Sequence, residues 1–180
     1  MESRIRGKIR EEARSLPLYE CRVNASWQEG GLAIVVVSRQ QGNGRLSVGC
    51  FLVDVFCLGL KNTLWQTDLT VAQYQNEFVP KVFGPETPVA CTPALAHRII
   101  YGGIDYAARF GFKPHPDFDL SQFLLDDPAT ANLGEAIAFG KDGKPFFIAG
   151  PDDDAAAIIH QLEATAGAGN YHFLYPLQGM

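Results

Sequence analysis

The stretch that decides the fold is Gly31–Leu60, GLAIVVVSRQQGNGRLSVGCFLVDVFCLGL. Two strand-like apolar runs, 32–39 and 45–57, flank the turn QGNG at positions 41–44. The Asn-Gly step in this turn tolerates the positive φ angles of a tight hairpin. Beyond position 50 both faces of the second run are apolar. We therefore predict a central strand that is covered by other elements on both sides.

One ionisable side chain, Asp54, lies in the middle of this apolar run. A buried carboxylate is costly unless it is hydrogen-bonded or paired with a cation. Two interpretations of Asp54 stay open at this stage. It is either a structural tether for loop amides or the floor of a working pocket.

Working outward, the sequence predicts a second hairpin at about 135–150, because KDGK at 141–144 carries Asp-Gly turn chemistry between apolar runs. A helix is expected to begin at Thr67 or Asp68 and to run to about Val79. Since helices are grouped rather than alternating singly with strands, the fold class is α+β. We expect a mostly antiparallel sheet built on two hairpins, about 32–57 and 135–150, with helices grouped against it.

The best-signalled helix begins after Thr92, a natural N-cap that is followed by Pro93. It should end at Gly111, which supplies a left-handed residue. The pair Gly102-Gly103 inside this helix lowers helix propensity. We infer that another part of the chain packs closely at that point.

The chain of 180 residues is expected to form a single domain, 1–180, with a charged N-terminal helix or arm at 1–16. Its basic residues are Arg4, Arg6, Lys8, Arg10 and Arg14, and the first four are the candidate nucleic-acid-binding residues. One interpretation is a solvated helix that packs through isoleucines at helical spacing. The alternative is nucleic-acid contact by this arm, within residues 4–14.

Composition limits the function classes. The formal net charge is −5, which argues against nucleic-acid binding by the surface as a whole. The N-terminus lacks the apolar region of a secretory signal, and no apolar run reaches the length of about 18 residues needed to span a membrane. The expectation is a soluble, cytoplasmic protein with no membrane partner. The four cysteines show no zinc-ligand spacing and are expected to be reduced.

Candidate catalytic residues form two sets. Asp54, His115 and Asp117 would suit a metal-assisted hydrolase or nuclease if they converge on a cation. Cys57 would suit a thiol nucleophile if a base such as His97 or His115 lay beside it. The non-catalytic alternatives are that Cys57 packs as a small hydrophobic residue and that His97 faces solvent on its helix. No motif identifies a cofactor or a particular metal.

Three stretches carry a resemblance: LVDVFCLGLKNT, AHRIIYGGIDYAARFGFKPHPDF and FGKDGKPFFIAG. Over roughly residues 18–150 the chain resembles a family of bacterial proteins without an established activity or cofactor. The resemblance implies a bacterial, cytoplasmic protein and no site assignment.

The function favoured by the residues is a protein-interaction or accessory module of a bacterial system. No complete catalytic constellation is visible, whereas large aromatic side chains are abundant (Trp27, Trp65, Phe112, Phe118, Phe146 and Phe147). Metal-assisted hydrolysis and nucleic-acid contact through the N-terminal arm are the alternatives.

Overall fold

The computed structural model describes residues 1–175. The strands are β1 Leu18–Asn24, β2 Leu32–Gln40, β3 Leu46–Asp54, β4 Gly59–Leu69, β5 Pro88–Cys91, β6 Phe146–Ile148 and β7 His172–Leu174. The α-helices are α1 Glu2–Glu12, α2 Trp27–Gly30, α3 Val71–Gln73, α4 Val79–Phe83, α5 Pro93–Ala108, α6 Phe118–Ser121 and α7 Ala155–Thr165. A π-helical turn, Tyr74–Phe78, joins α3 to α4, and 3-10 turns follow α1 and α6, at Ala13–Ser15 and Gln122–Leu124.

The main sheet is antiparallel throughout, with strand order β4-β3-β2-β1-β5. The first four strands form a meander, and β5 then pairs with β1 at the opposite edge. A second, two-stranded sheet pairs β6 with β7 in parallel. Helices pack against the main sheet, so the α+β class is confirmed.

The central strand β3 is covered on both sides, as its two apolar faces predict. Phe51 and Val53 belong to one core cluster, which is closed by Ile99 and Ile100 of α5. The other face of β3 packs in a separate cluster beneath the helical segment 71–83. Asp54 therefore ends a strand that lies between two apolar layers.

Helix α5 begins as its sequence predicts, and it approaches the sheet closely. The Oγ1 atom of Thr92 accepts a hydrogen bond of 3.1 Å from the backbone N–H of Leu95. A Cβ atom on Gly103 would lie 2.6 Å from Cγ1 of Val53, and one on Gly59 would lie 2.7 Å from the Gly103 carbonyl oxygen. The helical glycines are thus explained by the short distance between α5 and the sheet.

Residues 59–69 correct the sequence-based expectation. They form the edge strand β4, and the next helix begins after Thr70, not after Thr67 or Asp68. Thr70 makes the capping box by accepting from the backbone N–H of Gln73. Exposed residues of β4, such as Asn62, Gln66 and Asp68, alternate with more buried ones because one face of the strand is open to solvent. This polarity resembles that of a loop.

The second predicted hairpin is present only as its turn. Lys141 and Lys144 make an isolated bridge, with Asp142 and Gly143 at positive φ. The ladder stops there because the N–H of Phe146, which would be the next donor along the hairpin, binds the Phe56 carbonyl at 3.0 Å instead. The following strand, β6, pairs instead with β7, and residues 135–139 form no strand.

The N-terminal arm is a helix packed on the domain. Ile9 is buried against Leu120 and Leu124, next to the first 3-10 turn. Within residues 1–175, none of the helices has the length and apolar character required to cross a bilayer.

Candidate functional site

Asp54 is the acceptor for the turn that follows β3. Its Oδ1 atom accepts hydrogen bonds from the backbone N–H groups of Phe56 (2.9 Å) and Cys57 (3.1 Å). Its Oδ2 atom accepts from the N–H of Leu58 at 3.0 Å. Both carboxylate oxygens are therefore engaged by the 55–58 turn. This geometry favours the tether interpretation over a free catalytic carboxylate.

Burial dominates the electrostatics of this carboxyl group. It raises the pKa of Asp54 from its ordinary value of 3.8 to about 6. The three N–H donors and the charge of Lys61 act in the opposite direction because they favour the ionised form. Lys61 forms its ion pair with a different carboxylate, since its Nζ atom donates to Oδ2 of Asp153 at 2.9 Å.

The proposed metal ligands lie in different settings. The backbone N–H of His115 donates to the Leu60 carbonyl at 3.0 Å, which fastens the 113–117 loop to β4. The Nδ1 atom of His115 accepts from the backbone N–H of Asp117 at 3.2 Å. Among residues 1–175 no three His, Cys, Asp or Glu side chains are grouped so that they could hold a metal ion. Asp54, His115 and Asp117 thus do not converge as that hypothesis requires.

Cys57 lies in a sealed environment. Its side chain is fully buried with Phe147 and Leu162 beside α7. Burial raises its pKa, and the nearby charge of Asp54 raises it further. A thiolate is thus strongly disfavoured at this position, and the geometry is that of a packing residue.

The expectation that His97 faces solvent is wrong. Its imidazole is 1% exposed and stacks on Tyr101. The Nε2 atom accepts from the backbone N–H of Asp126 at 2.9 Å, and Nδ1 lies 2.6 Å from the Pro93 carbonyl oxygen. Burial lowers the pKa of His97, so the neutral ring serves as a link between α5 and the 126 loop.

The candidate nucleic-acid residues Arg4, Arg6, Lys8 and Arg10 are all exposed on α1. Arg6 pairs with Glu2 at 3.1 Å. Nucleic-acid contact by these residues stays a hypothesis.

A large cleft lies beside the Asp54 turn. It has a volume of about 900 Å³, within the range of ligand-binding clefts. Its walls come from α2, the 55–56 turn, the start of α5 and the segment 133–142. Apolar side chains contribute much of the surface, among them Trp27, Val55, Phe56, Leu95 and Ile137.

One wall of this cleft is a segment outside any helix or strand, residues 135–139, which starts at a bend at Glu135 and has unused backbone groups. None of its N–H or C=O groups makes a hydrogen bond with any part of residues 1–175. Its side chains alternate as they would in a strand. Ile137 and Phe139 pack on the core cluster beneath the sheet, whereas Ala136 and Ala138 are exposed.

The segment 135–139 is held in place from both ends. Arg98 of α5 donates to the carbonyl oxygens of Leu133 (2.9 Å) and Gly134 (3.1 Å). At the other end, the N–H of Gly140 donates to the Val55 carbonyl at 2.9 Å. These contacts fix the extended backbone without using its own hydrogen-bonding groups.

Packing beneath the segment supports the same conformation. The ring of Phe139 stacks on Tyr106 with 5.8 Å between centroids. It also lies so close to Gly102 that a Cβ atom there would be 2.5 Å from the ring. Gly102 therefore makes room for the anchor of the segment.

The charges around the cleft are mostly negative. Glu29, Glu135 and Asp142 line it, and within residues 1–175 none of the three makes an ion pair. The only cation in the lining is Lys141, whose Nζ atom lies over the rings of Phe56 (5.8 Å) and Phe146 (5.2 Å).

Sequence reasoning missed this cleft because it placed residues 135–140 in a paired hairpin. No signal within residues 135–150 reveals this. Pro145 lies at a position of the hairpin whose N–H would point away from residues 135–140, and the N–H of Phe146 is taken by the Phe56 carbonyl, a partner distant in sequence.

No family model, no curated protein and no solved structure matches the chain.

Proposed function

We propose that this chain is a protein-interaction module that binds an extended peptide segment of its partner in the cleft, as an added strand beside residues 135–139. The observation that carries the proposal is the row of unused N–H and C=O groups along a fixed, extended backbone. Backbone polar groups of folded proteins are nearly always paired or hydrated. A peptide strand would supply partners for them.

Preorganisation supports a peptide as the ligand. The segment is anchored by Arg98, by Gly140 and by the packing of Phe139, so it need not be ordered when a partner binds. A ligand that meets an already fixed surface loses less conformational entropy in forming the complex. Exposed alanines at 136 and 138 leave space for a second backbone to approach.

The dimensions agree with a short strand. The four residues 136–139, which follow the bend at Glu135, would span roughly 13 Å as a strand, which is the length of a short strand in a globular protein. The cleft volume of about 900 Å³ accommodates the side chains on one face of such a peptide. Alternate side chains of the ligand would enter the apolar part of the cleft near Trp27 and Leu95.

Charge indicates which peptides fit. Three carboxylates and one lysine line the cleft, so its potential is negative overall. The ligand that we propose alternates apolar residues with Lys or Arg. A partner in a bacterial system, as the sequence resemblance implies, would present this peptide on a loop or at a chain end.

The alternatives have weaker geometric support. Metal-assisted hydrolysis would use Asp54, whose two oxygens already accept three amide hydrogens from the 55–58 turn. Contact with nucleic acid would use exposed charges of α1, where Arg6 is already paired with Glu2.

The test uses a displayed library of random peptides, selected on the full chain and followed by titration calorimetry of the enriched peptides. We expect extended sequences with alternating apolar residues and at least one Lys or Arg. In the complex, amide hydrogen exchange should slow within residues 135–139. The Ala138→Pro variant should bind at least tenfold more weakly, because it loses an N–H and crowds the incoming strand.

The matched control is Ala168→Pro, which alters an exposed alanine in the turn after α7. It should bind the selected peptides with unchanged affinity. A library that yields no binder, or binders that protect amides outside the cleft and ignore Ala138→Pro, would overturn the proposal.

A further inference from the structure

Two of the four cysteines face one another across the edge of the sheet. Cys21 of β1 is paired in register with Cys91 of β5, and both are free thiols. Side chains of directly opposed residues in antiparallel strands point to the same face. Both of these side chains pack in the core cluster on the α5 side of the sheet.

The hydrogen-bond pattern fixes the kind of pair. The N–H of Ala25 donates to the Thr87 carbonyl at 2.9 Å, in the same register. Counting back along the ladder, alternate pairs are hydrogen-bonded, and Cys21 with Cys91 is one of these. Opposed Cα atoms at such positions are about 5.5 Å apart, which is within the span that a disulfide bridges. Their Cβ atoms, also about 5.5 Å apart in a pair of this kind, must approach to about 4 Å when the bond forms.

The other two cysteines have no such neighbour. Cys50 is opposite Val36 on one side and Leu64 on the other. Cys57 lies in the cluster beside α7. Among the described pairings, the Cys21–Cys91 pair alone places two thiols opposite each other.

We infer that Cys21 and Cys91 form a reversible disulfide, a redox modification site that fastens β5 to β1. The oxidant is a small-molecule disulfide. Burial raises the pKa of the Cys91 thiol to about 11 and that of the Cys21 thiol to about 12, so the exchange proceeds through a small thiolate fraction and becomes faster as pH rises. The Cys91 thiolate, from the more exposed of the two residues, attacks one sulfur of the oxidant and expels one thiolate. The Cys21 thiolate then attacks the Cys91 sulfur in this mixed disulfide and expels the second. Two protein thiols are oxidised, one disulfide is reduced to two thiols, and the two protons pass to the leaving thiolates.

The bond would act on the start of α5. The strand β5 has four residues and lies at the sheet edge, where it pairs with β1 alone. Cys91 immediately precedes Thr92, the N-cap of α5 and a residue of the cleft wall. Oxidation therefore ties this wall of the cleft covalently to the sheet.

The experiment treats the purified full chain with oxidised glutathione and counts free thiols, with peptide mapping by mass spectrometry. We expect the four thiols of the reduced protein to fall to two, with one peptide pair joined through Cys21 and Cys91. The melting temperature should rise by roughly 5–15 °C, because the link closes a long loop in the unfolded chain. Dithiothreitol should reverse both changes.

The Cys91→Ser variant should show neither the link nor the rise in melting temperature, whereas the control Cys50→Ala should show both. Mapping of the unmodified sequence decides the question even if a variant folds poorly. Four thiols that persist under oxidation, or a link between any other pair, would refute the inference.

Discussion

The turn 55–58 and the segment 135–139 are neighbours that treat their backbone groups in opposite ways. In the turn, three consecutive N–H groups are satisfied by the single carboxylate of Asp54. In the segment, the backbone groups find no partner within residues 1–175. The two regions touch directly, since Gly140 donates to the Val55 carbonyl.

An unusual residue in a sequence does not by itself mark a functional site. Asp54 is the most conspicuous polar side chain in the apolar sequence, yet its hydrogen bonds are all internal. The segment 135–139 has an unremarkable sequence, yet its backbone N–H and C=O groups are available to a ligand. A complete account of hydrogen bonds separates the two roles better than residue type does.

Within the two regions compared, the largest expected effect comes from removing the acceptor of the turn. The Asp54→Ala variant should lower the free energy of unfolding by about 2–4 kcal/mol, because three N–H groups lose their acceptor together. Urea denaturation followed by circular dichroism measures it. The control Asp105→Ala, an exposed position on α5, should change stability by less than about 0.5 kcal/mol. Equal effects of the two substitutions would show that Asp54 does not stabilise the 55–58 turn.

The free energy of unfolding, measured as a function of pH, tests the raised pKa of Asp54. Its folded-state pKa of about 6 lies above its ordinary value of 3.8. Between these values the folded chain binds more protons than the unfolded chain, so this group's contribution to stability is full below pH 3.8 and is lost as pH rises through 6.

The Asp54→Asn variant lacks this titration. From pH 4 to 7 we expect the unmodified chain to lose about 1–3 kcal/mol of unfolding free energy relative to that variant. Parallel urea titrations at each pH give the difference. Curves that stay parallel across the range would contradict the raised pKa.

The smallest expected effect concerns the segment. Because the N–H of residue 138 makes no hydrogen bond within the described residues 1–175, Ala138→Pro should change the free energy of unfolding by less than about 0.5 kcal/mol. The contrasting variant Ala33→Pro interrupts the β2–β3 ladder opposite Val53 and should cost about 3 kcal/mol or more. Thermal unfolding of both variants measures this. A large loss in Ala138→Pro would show that the segment is paired after all.

Local chemistry predicted much of the fold. The two apolar faces of β3 predict its position between layers, and Thr92 with Pro93 predicts the start of α5. Glycines at 102 and 103 predict a close approach, which the structure shows at Val53 and Phe139. Each of these signals acts within one element or across its immediate contact surface.

Other features depended on partners distant in sequence. The polar row of β4 is typical of a loop unless its place at the sheet edge is known. His97 is buried because the loop at Asp126 covers it, and nothing near position 97 indicates this. The cleft exists because β6 pairs with β7 and not with residues 135–139. Residues 135–150 alone do not indicate this pairing.

The path of the chain from β4 to β5 imposes an order on folding. The meander β1–β4 consists of neighbours joined by short turns, whose closure involves little loss of chain entropy. The strand β5, by contrast, reaches β1 only after the chain has crossed the sheet through the helical segment 71–83. The four strands of the meander can pair without β5, whereas β5 can pair only after β1 has formed. We therefore expect the meander to form first and the pairing of β5 with β1, which joins residues distant in sequence, to form last.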